Sequence, residues 1–399
     1  MTDVAERLEE LREKGLYRRL RLVDGPQGPR VLLDGQEVLL LCSNDYLGLA
    51  NHPRVREAAA EAALRWGAGA GASRLISGNM TPHAALEERL AGFKGYEAAL
   101  LFGSGYLANT GIVAALAGRG EVVFSDQLNH ASIVDGCRLS RAETFVYRHG
   151  DVEHLAWGLR EAGGRAALIV TDGVFSMDGD IAPLAELAGL AREHRCRLMV
   201  DEAHATGTIG PGGRGSVAAA GLGEEVDVVV GTLGKALGSY GAYACADREV
   251  IELLVNTARP FIFSTAPPPP SVAAATAALE VLEAEPERVE RLRRNAAALR
   301  EALVAAGLTV GGSGTQIVPV RVGDAEATME LCERALERGV FAQGIRPPTV
   351  PEGASRLRLT AMATHRPDEL REAARLIGAA AREAGVAAGR ERPAVAVAA

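Results

Sequence analysis

Only three of the forty-three basic side chains in this 399-residue chain are lysines: Lys14, Lys94 and Lys235. Chemistry that needs a primary amine must use one of them. Lys235 has the most informative neighbours. It lies in Asp-Val-Val-Val-Gly-Thr-Leu-Gly-Lys-Ala-Leu-Gly-Ser (227–239), where an apolar run ends in a glycine-flanked turn presenting Thr232 and Lys235. An amine in apolar surroundings loses its proton more easily and suits imine formation. The plainer reading is a surface-loop lysine, and the preference for arginine everywhere else weighs against it.

Other polar residues end apolar runs in the same way. Arg-Leu-Met-Val-Asp-Glu-Ala-His (197–204) sets Asp201 at the end of a buried strand, with His204 three residues on. A buried carboxylate is costly unless it meets a cation. The letters Asp-Glu-Ala-His also occur in helicases, but those need a phosphate loop GxxxxGK[ST], which is missing. Two readings remain: a carboxylate facing a protonated pyridine nitrogen, or an Asp capping the next helix. Leu-Leu-Phe-Gly-Ser-Gly-Tyr-Leu-Ala-Asn (100–109) follows a strand and opens a helix, so the N–H groups of Gly105 and Tyr106 can hold a phosphate. The same letters match GxGxxA with Asp126 twenty-one residues after Gly105, which keeps a nicotinamide dehydrogenase as a rival. Thr-Asp-Gly-Val-Phe-Ser-Met-Asp-Gly-Asp (171–180) brings Asp172 and Ser176 to the same rim, and Ser-Asp-Gln-Leu-Asn-His-Ala-Ser (125–132) brings His130. A metal site is not expected, since HExxH and close Cys/His clusters are missing. The Gly-rich stretch 67–78 reads as a connection.

An imine-forming lysine, a strand-end aspartate, a stacking histidine and a helix N-terminus are together what pyridoxal phosphate (PLP) requires. Lys235 would hold the aldehyde. Asp201 would keep the ring nitrogen protonated so that the ring accepts electrons. Gly105, Tyr106 and the Thr232 hydroxyl would hold the phosphate.

These residues need a scaffold that delivers strand ends to one edge. Seven short apolar runs recur: Ala98–Phe102, Val122–Ser125, Thr144–Tyr147, Ala167–Thr171, Arg197–Asp201, Asp227–Gly231 and Gly241–Ala246. Helical stretches such as Tyr106–Leu116, Val152–Arg160 and Pro183–His194 alternate with them. The pattern predicts an α/β fold with a mainly parallel seven-stranded sheet covered on both faces, with ligands beyond the carboxyl ends of the strands. Residues 1–22 read as a charged amphipathic helix, 31–41 as a hairpin turning at Asp34-Gly35, and the proline run Pro267–Pro270 opens a long helical stretch to about Ala306. A smaller α+β unit follows. The expected division is an N-terminal arm (1–45), a large cofactor-binding domain (46–280), a small C-terminal domain (281–385) and a disordered tail (386–399).

Composition narrows the classes. A net charge of −8 argues against a general nucleic-acid binder. No apolar run reaches the roughly 18 residues of a membrane span, and the acidic N-terminus is not a secretory signal. Five widely spaced cysteines read as reduced thiols in the cytoplasm.

SNDYLGL (43–49), the 67–78 loop, TDGVFSMDGD (171–180), VDEAHATGTIG (200–210) and GTLGKALGSYGAY (231–243) together resemble the α-oxoamine synthases, from about residue 16 to residue 380. The resemblance implies a PLP-dependent transferase of the aspartate aminotransferase fold (fold type I). Segment IRPPTVPEGASRLRLT (345–360) points within the family to condensation of L-alanine with a pimeloyl thioester, on CoA or an acyl-carrier protein, in biotin biosynthesis. A sibling activity on glycine and acetyl-CoA is the alternative. The resemblance gives Lys235, Asp201 and His130 catalytic roles. It places His130 on the ring and His204 and Ser176 around its phenolic oxygen. Gly105, Tyr106 and Thr232 take the phosphate, with Thr265 reaching it from a second subunit of a homodimer with shared active sites. Arg358 takes the amino-acid carboxylate, while Arg18 and Thr349 line the acyl side.

Overall fold

In the computed structural model, which describes residues 3–386, the seven apolar runs form one sheet. Its strands are β1 Ala98–Phe102, β2 Val122–Asp126, β3 Glu143–Tyr147, β4 Ala166–Asp172, β5 Arg197–Asp201, β6 Val228–Thr232 and β7 Ala242–Ala246. Their spatial order is β1-β7-β6-β5-β4-β2-β3. Strands β2 to β6 pair in parallel, and β7 runs antiparallel to both β6 and β1. The reversal has a local cause: only the turn 233–241, without a crossover helix, joins β6 to β7, and such a link inverts the chain.

Alternate strand residues enter opposite layers, as the two-residue side-chain period dictates. Val170, Met199, Val228 and Val230 pack with Ile112 and Val113 of the helix Gly105–Leu116. Ile169, Leu198, Val200 and Val229 pack with Leu187 and Ala188 of the helix Leu184–His194. Burial on both faces explains why these strands read as unbroken apolar runs.

The C-terminal part departs from expectation at one point. The stretch 268–306 is two helices, Pro269–Ala284 and Glu287–Ala305, separated at Glu285-Pro286, where proline lacks the N–H that would continue the first. Strands Ile317–Gly323, Ser355–Thr360 and Gln343–Ile345 then form an antiparallel sheet, flanked by helices Ala325–Glu337 and Pro367–Glu383. The N-terminal hairpin Arg30–Leu33/Gln36–Leu40 turns at Asp34 and Gly35, with φ of 49° and 86°. Its Leu39 and Leu40 pair in parallel with Val340 and Phe341. Leu39 and Leu41 share a core with Leu357, Leu359 and Ile377, so the arm packs into the C-terminal layer.

Two further differences concern helices. The N-terminal helix spans only Val4–Glu13, buries no residue, and stops before Gly15 at a φ of 62°. Helices Pro53–Trp66, Thr81–Lys94, Ala131–Ser140 and Arg248–Thr257 were not anticipated; the first buries only Val55 and Ala62, which leaves little periodic signal. The expected tail lies outside the described residues from 387 on. Among the described residues, no helix is long and apolar enough to cross a membrane.

Candidate active site

A cavity of about 300 Å³ opens at the carboxyl ends of the parallel strands. Its lining includes Gly105, Tyr106, His130, Asp172, Ser176, Asp201, His204, Thr232 and Lys235. All the residues read as cofactor-binding therefore converge here except Thr265. That residue is exposed and forms a backbone bridge with Ser73.

The three lysines separate cleanly. Lys14 is exposed and reaches Glu10 at 3.7 Å. Lys94 is buried and paired with Glu202, which also accepts from the Ser216 hydroxyl at 2.8 Å and the Val217 N–H at 2.7 Å. Lys235 lines the cavity without an ion-pair partner among the described residues. Burial holds its amine below the ordinary lysine range; Asp201 and Asp172 oppose that shift and Arg358 reinforces it. An amine so placed is the one available as a nucleophile or base.

The carboxylates come from adjacent strands. Asp172 and Asp201 are register partners at the ends of β4 and β5. Asp201 accepts from the Ala203 N–H at 2.8 Å and from Asn109 Nδ2 at 2.6 Å. Burial, then the charge of Asp201, pushes Asp172 well above the usual carboxylate range. Two neighbouring buried carboxyls disfavour each other's ionisation.

The histidines stand on either side. His130 caps the helix Ala131–Ser140, its Nδ1 2.7 Å from Ser132 Oγ. Buried His204 meets the Tyr46 hydroxyl at 2.7 Å through Nδ1. Burial first, then Lys235 and Arg358, hold His204 well below the usual imidazole range, so it is neutral. Arg358 donates to the same Tyr46 hydroxyl at 3.2 Å, to Asn44 Oδ1 at 3.4 Å and to the Ser176 carbonyl. It stands beside the cavity, with its fork already engaged.

The loop carrying Ser176 is clamped from several sides. Arg356 pairs with Asp178, and the hydroxyls of Ser313 and Thr315 donate to the Gly179 carbonyl at 3.0 and 2.8 Å. His149 bridges Asp126 at 2.9 Å and Asp180 at 2.8 Å. This engagement of Asp126 removes the carboxylate that a nicotinamide ribose would need.

The pocket fits PLP on its own features. Thr232 lines the cavity, and its Oγ1 is buried with no hydrogen-bond partner among the described residues. Gly105 and Tyr106 hold the first two positions of a helix, where N–H groups have no intrahelical acceptor. A Cβ at Gly105 would come within 2.8 Å of Thr232 Cγ2, so glycine leaves room at this helix start beside Thr232. Asn109, Ser132, Asn44 and Tyr46 also serve the pocket and were not singled out from the sequence. Asn109 follows Gly105 by four residues, one helical turn, which is the signal that could have revealed it.

Arg18 and Thr349 lie elsewhere. With Tyr17, Arg19, Phe341 and Arg346 they line a second cavity of about 670 Å³. Arg346 donates to the Tyr17 carbonyl at 3.1 Å, tying the N-terminal segment to the 345–349 turn.

The sequence pattern of the family "Aminotransferase class I and II" matches residues 36–377. The 8-amino-7-oxononanoate synthase of Geobacter sulfurreducens is 56% identical over 96% of this chain and 99% of its own length. That of Geobacter metallireducens is 57% identical over 96% and 98%. Among solved structures, a serine palmitoyltransferase from S. paucimobilis with PLP and myriocin bound superposes with a TM-score of 0.91 at 35% identity, over 96% of this chain and 98% of that one. An 8-amino-7-oxononanoate synthase from Francisella tularensis gives 0.75 at 28%, over 87% and 98%. The family pattern and the full-length identity agree with the pocket: the chain belongs to the aminotransferase class I and II family and is a PLP-dependent transferase of fold type I.

Proposed function

We propose that the chain condenses L-alanine with a pimeloyl thioester, releasing CO2 and the thiol, the reaction of the 8-amino-7-oxononanoate synthases. The observation that carries it is Lys235, the one lysine of the three left unpaired in a cavity that also holds Asp201. The relatives above supply the choice of substrates.

PLP bound here supplies an electron sink for the charge left at the amino acid's α-carbon. With PLP bound, Lys235 Nζ, with its lowered proton affinity, would hold the aldehyde and would serve as the base for the α-proton. Asp201 would keep the pyridine nitrogen protonated. His130, Ser176 and His204 would surround the ring, and Gly105, Tyr106 and Thr232 would hold the phosphate. Arg358 anchors the amino-acid carboxylate, since its planar fork suits two oxygens. Arg18 and Thr349 bind the acyl thioester in the second cavity. Thr265 acts on the partner's site in a homodimer. Five free cysteines suit a reducing compartment, the cytoplasm.

Product analysis tests the reading. L-Alanine with pimeloyl-CoA or a pimeloyl carrier protein should give 8-amino-7-oxononanoate. Faster turnover of glycine with acetyl-CoA would replace it by the sibling activity.

A further inference from the structure

We infer that Asn109 and Ser132 are positioning residues that lock the His130 ring in a single tautomer, with the proton on Nε2 and Nδ1 an acceptor, and tie that ring to Asp201. The inference rests on the proposed reading of His130 and Asp201 as groups that meet the cofactor.

The Ser132 backbone N–H, which can only donate, sets the direction of the bonds at His130. Asn109 is buried on the helix Gly105–Leu116. Its Nδ2 lies 2.6 Å from Asp201 Oδ2 and 2.9 Å from Ser132 Oγ. The amide nitrogen has two hydrogens, and both are committed. A flipped amide would set Asn109 Oδ1 against the Asp201 carboxylate, two acceptors in contact, so nitrogen occupies that place.

Ser132 Oγ accepts from Asn109 and lies 2.7 Å from His130 Nδ1, to which its hydrogen goes because the backbone N–H already makes Nδ1 an acceptor. The Ser132 backbone N–H points at the same nitrogen from 3.3 Å. Nδ1 thus faces two donors and carries no proton; the ring's hydrogen sits on Nε2. The charged and titratable groups around the ring are Asp201 on β5, Lys235 on the β6–β7 turn, Asp172 on β4 and His204. Burial lowers the proton affinity of His130, Lys235 adds to the effect and Asp201 opposes it. The neutral ring is the outcome that agrees with the bonds.

The chain Asp201–Asn109–Ser132–His130 therefore runs from strand to helix to helix cap. Asp201 Oδ1 is fixed independently by the Ala203 N–H. The histidine is held at Nδ1 and offers a donor at Nε2, with its orientation referred to the carboxylate that meets the ring nitrogen.

The test uses PLP-loaded protein labelled with 15N in histidine, with His130 assigned by the loss of its signals in His130→Asn. Long-range 1H–15N spectra should show a pyridine-like Nδ1 and a pyrrole-like Nε2 near neutral pH. Ser132→Ala should mix the tautomers, shift the ring's titration to higher pH, and lower kcat about tenfold at nearly constant KM, the effect of one lost hydrogen bond. Asn109→Ala should give the same spectral change with a kcat loss of about ten- to hundredfold. A protonated Nδ1 in the unsubstituted protein, or an unchanged His130 spectrum in Ser132→Ala, overturns the inference. The first measurement is made on the unsubstituted protein, with His130→Asn used only to assign the signals. Substrate misassignment would leave the tautomer intact, so the two failures are distinguishable.

Discussion

The two cavities are built differently. The PLP pocket is made of strand ends and the helix starts that follow them: Asp172, Asp201 and Thr232 close β4, β5 and β6, and Gly105 opens a helix. The Arg18 cavity is made from an N-terminal segment without helix or strand, the short strand Gln343–Ile345, the helix Ala325–Glu337 and the turn carrying Thr349. A strand end is fixed by the hydrogen bonds of the whole sheet. A cavity between distant segments is fixed only by contacts such as that of Arg346 with the Tyr17 carbonyl. The groups we assign to the cofactor therefore sit on the sheet ends, and those we assign to the acyl partner sit where segments can be exchanged without disturbing the sheet.

The largest expected effect breaks the rigid side. Lys235→Ala should lower kcat by at least about 10³-fold, as for loss of a base that also holds the cofactor. Loss of the visible absorption band in the same protein checks the covalent link. Retained turnover would remove Lys235 from the chemistry. Asp201→Asn should keep the fold and bind some PLP while kcat drops about 10²-fold or more; a near-normal rate would refute its role.

A third variant separates scaffold from chemistry. Lys94→Ala leaves Glu202 buried and uncompensated directly behind Asp201, so denaturant unfolding should show a loss of about 3 kcal/mol or more. An unchanged midpoint would mean that water or another cation replaces the pair.

On the other side, Arg18→Ala should raise KM for the thioester about tenfold with kcat and the alanine KM nearly constant. Arg19→Ala, 68% exposed at its side chain, serves as the control. Equal effects would shift the assignment to the neighbouring arginine.

The smallest effect concerns the clamp on the Ser176 loop. Burial would lower the His149 proton affinity, but the carboxylates of Asp126 and Asp180 outweigh it and raise the value to about 10. A folded-state value above the ordinary 6.5 gives stability that is full below pH 6.5 and lost as pH rises toward about 10. The thermal midpoint should fall between neutral pH and pH 10 by about 2 °C more in the unsubstituted protein than in His149→Gln. Parallel curves would show that the bridge adds nothing.

Much of this was legible in the chain itself. Buried parallel strands are apolar on both faces, so β2, β4, β5 and β6 announce themselves as short runs, and the polar residue ending the run marks the ligand edge. Lys235 stood out because the chain otherwise avoids lysine. Helices such as Pro53–Trp66 left almost no pattern, because alanine-rich faces and few buried positions carry weak periodicity.

Residue type and local spacing were sufficient wherever one strand and its turn do the positioning; they determined the sheet, the lysine and the strand-end carboxylate. Pairings between distant segments needed the folded chain. That Lys94 is one half of a buried ion pair was not readable until Glu202 was placed beside it. Asn109 gained its role only when the helix Gly105–Leu116 brought it against β5 and the cap at His130. Hydrogen bonds of this kind depend on tenths of an ångström between elements far apart in sequence, and the packing of the layers sets those distances.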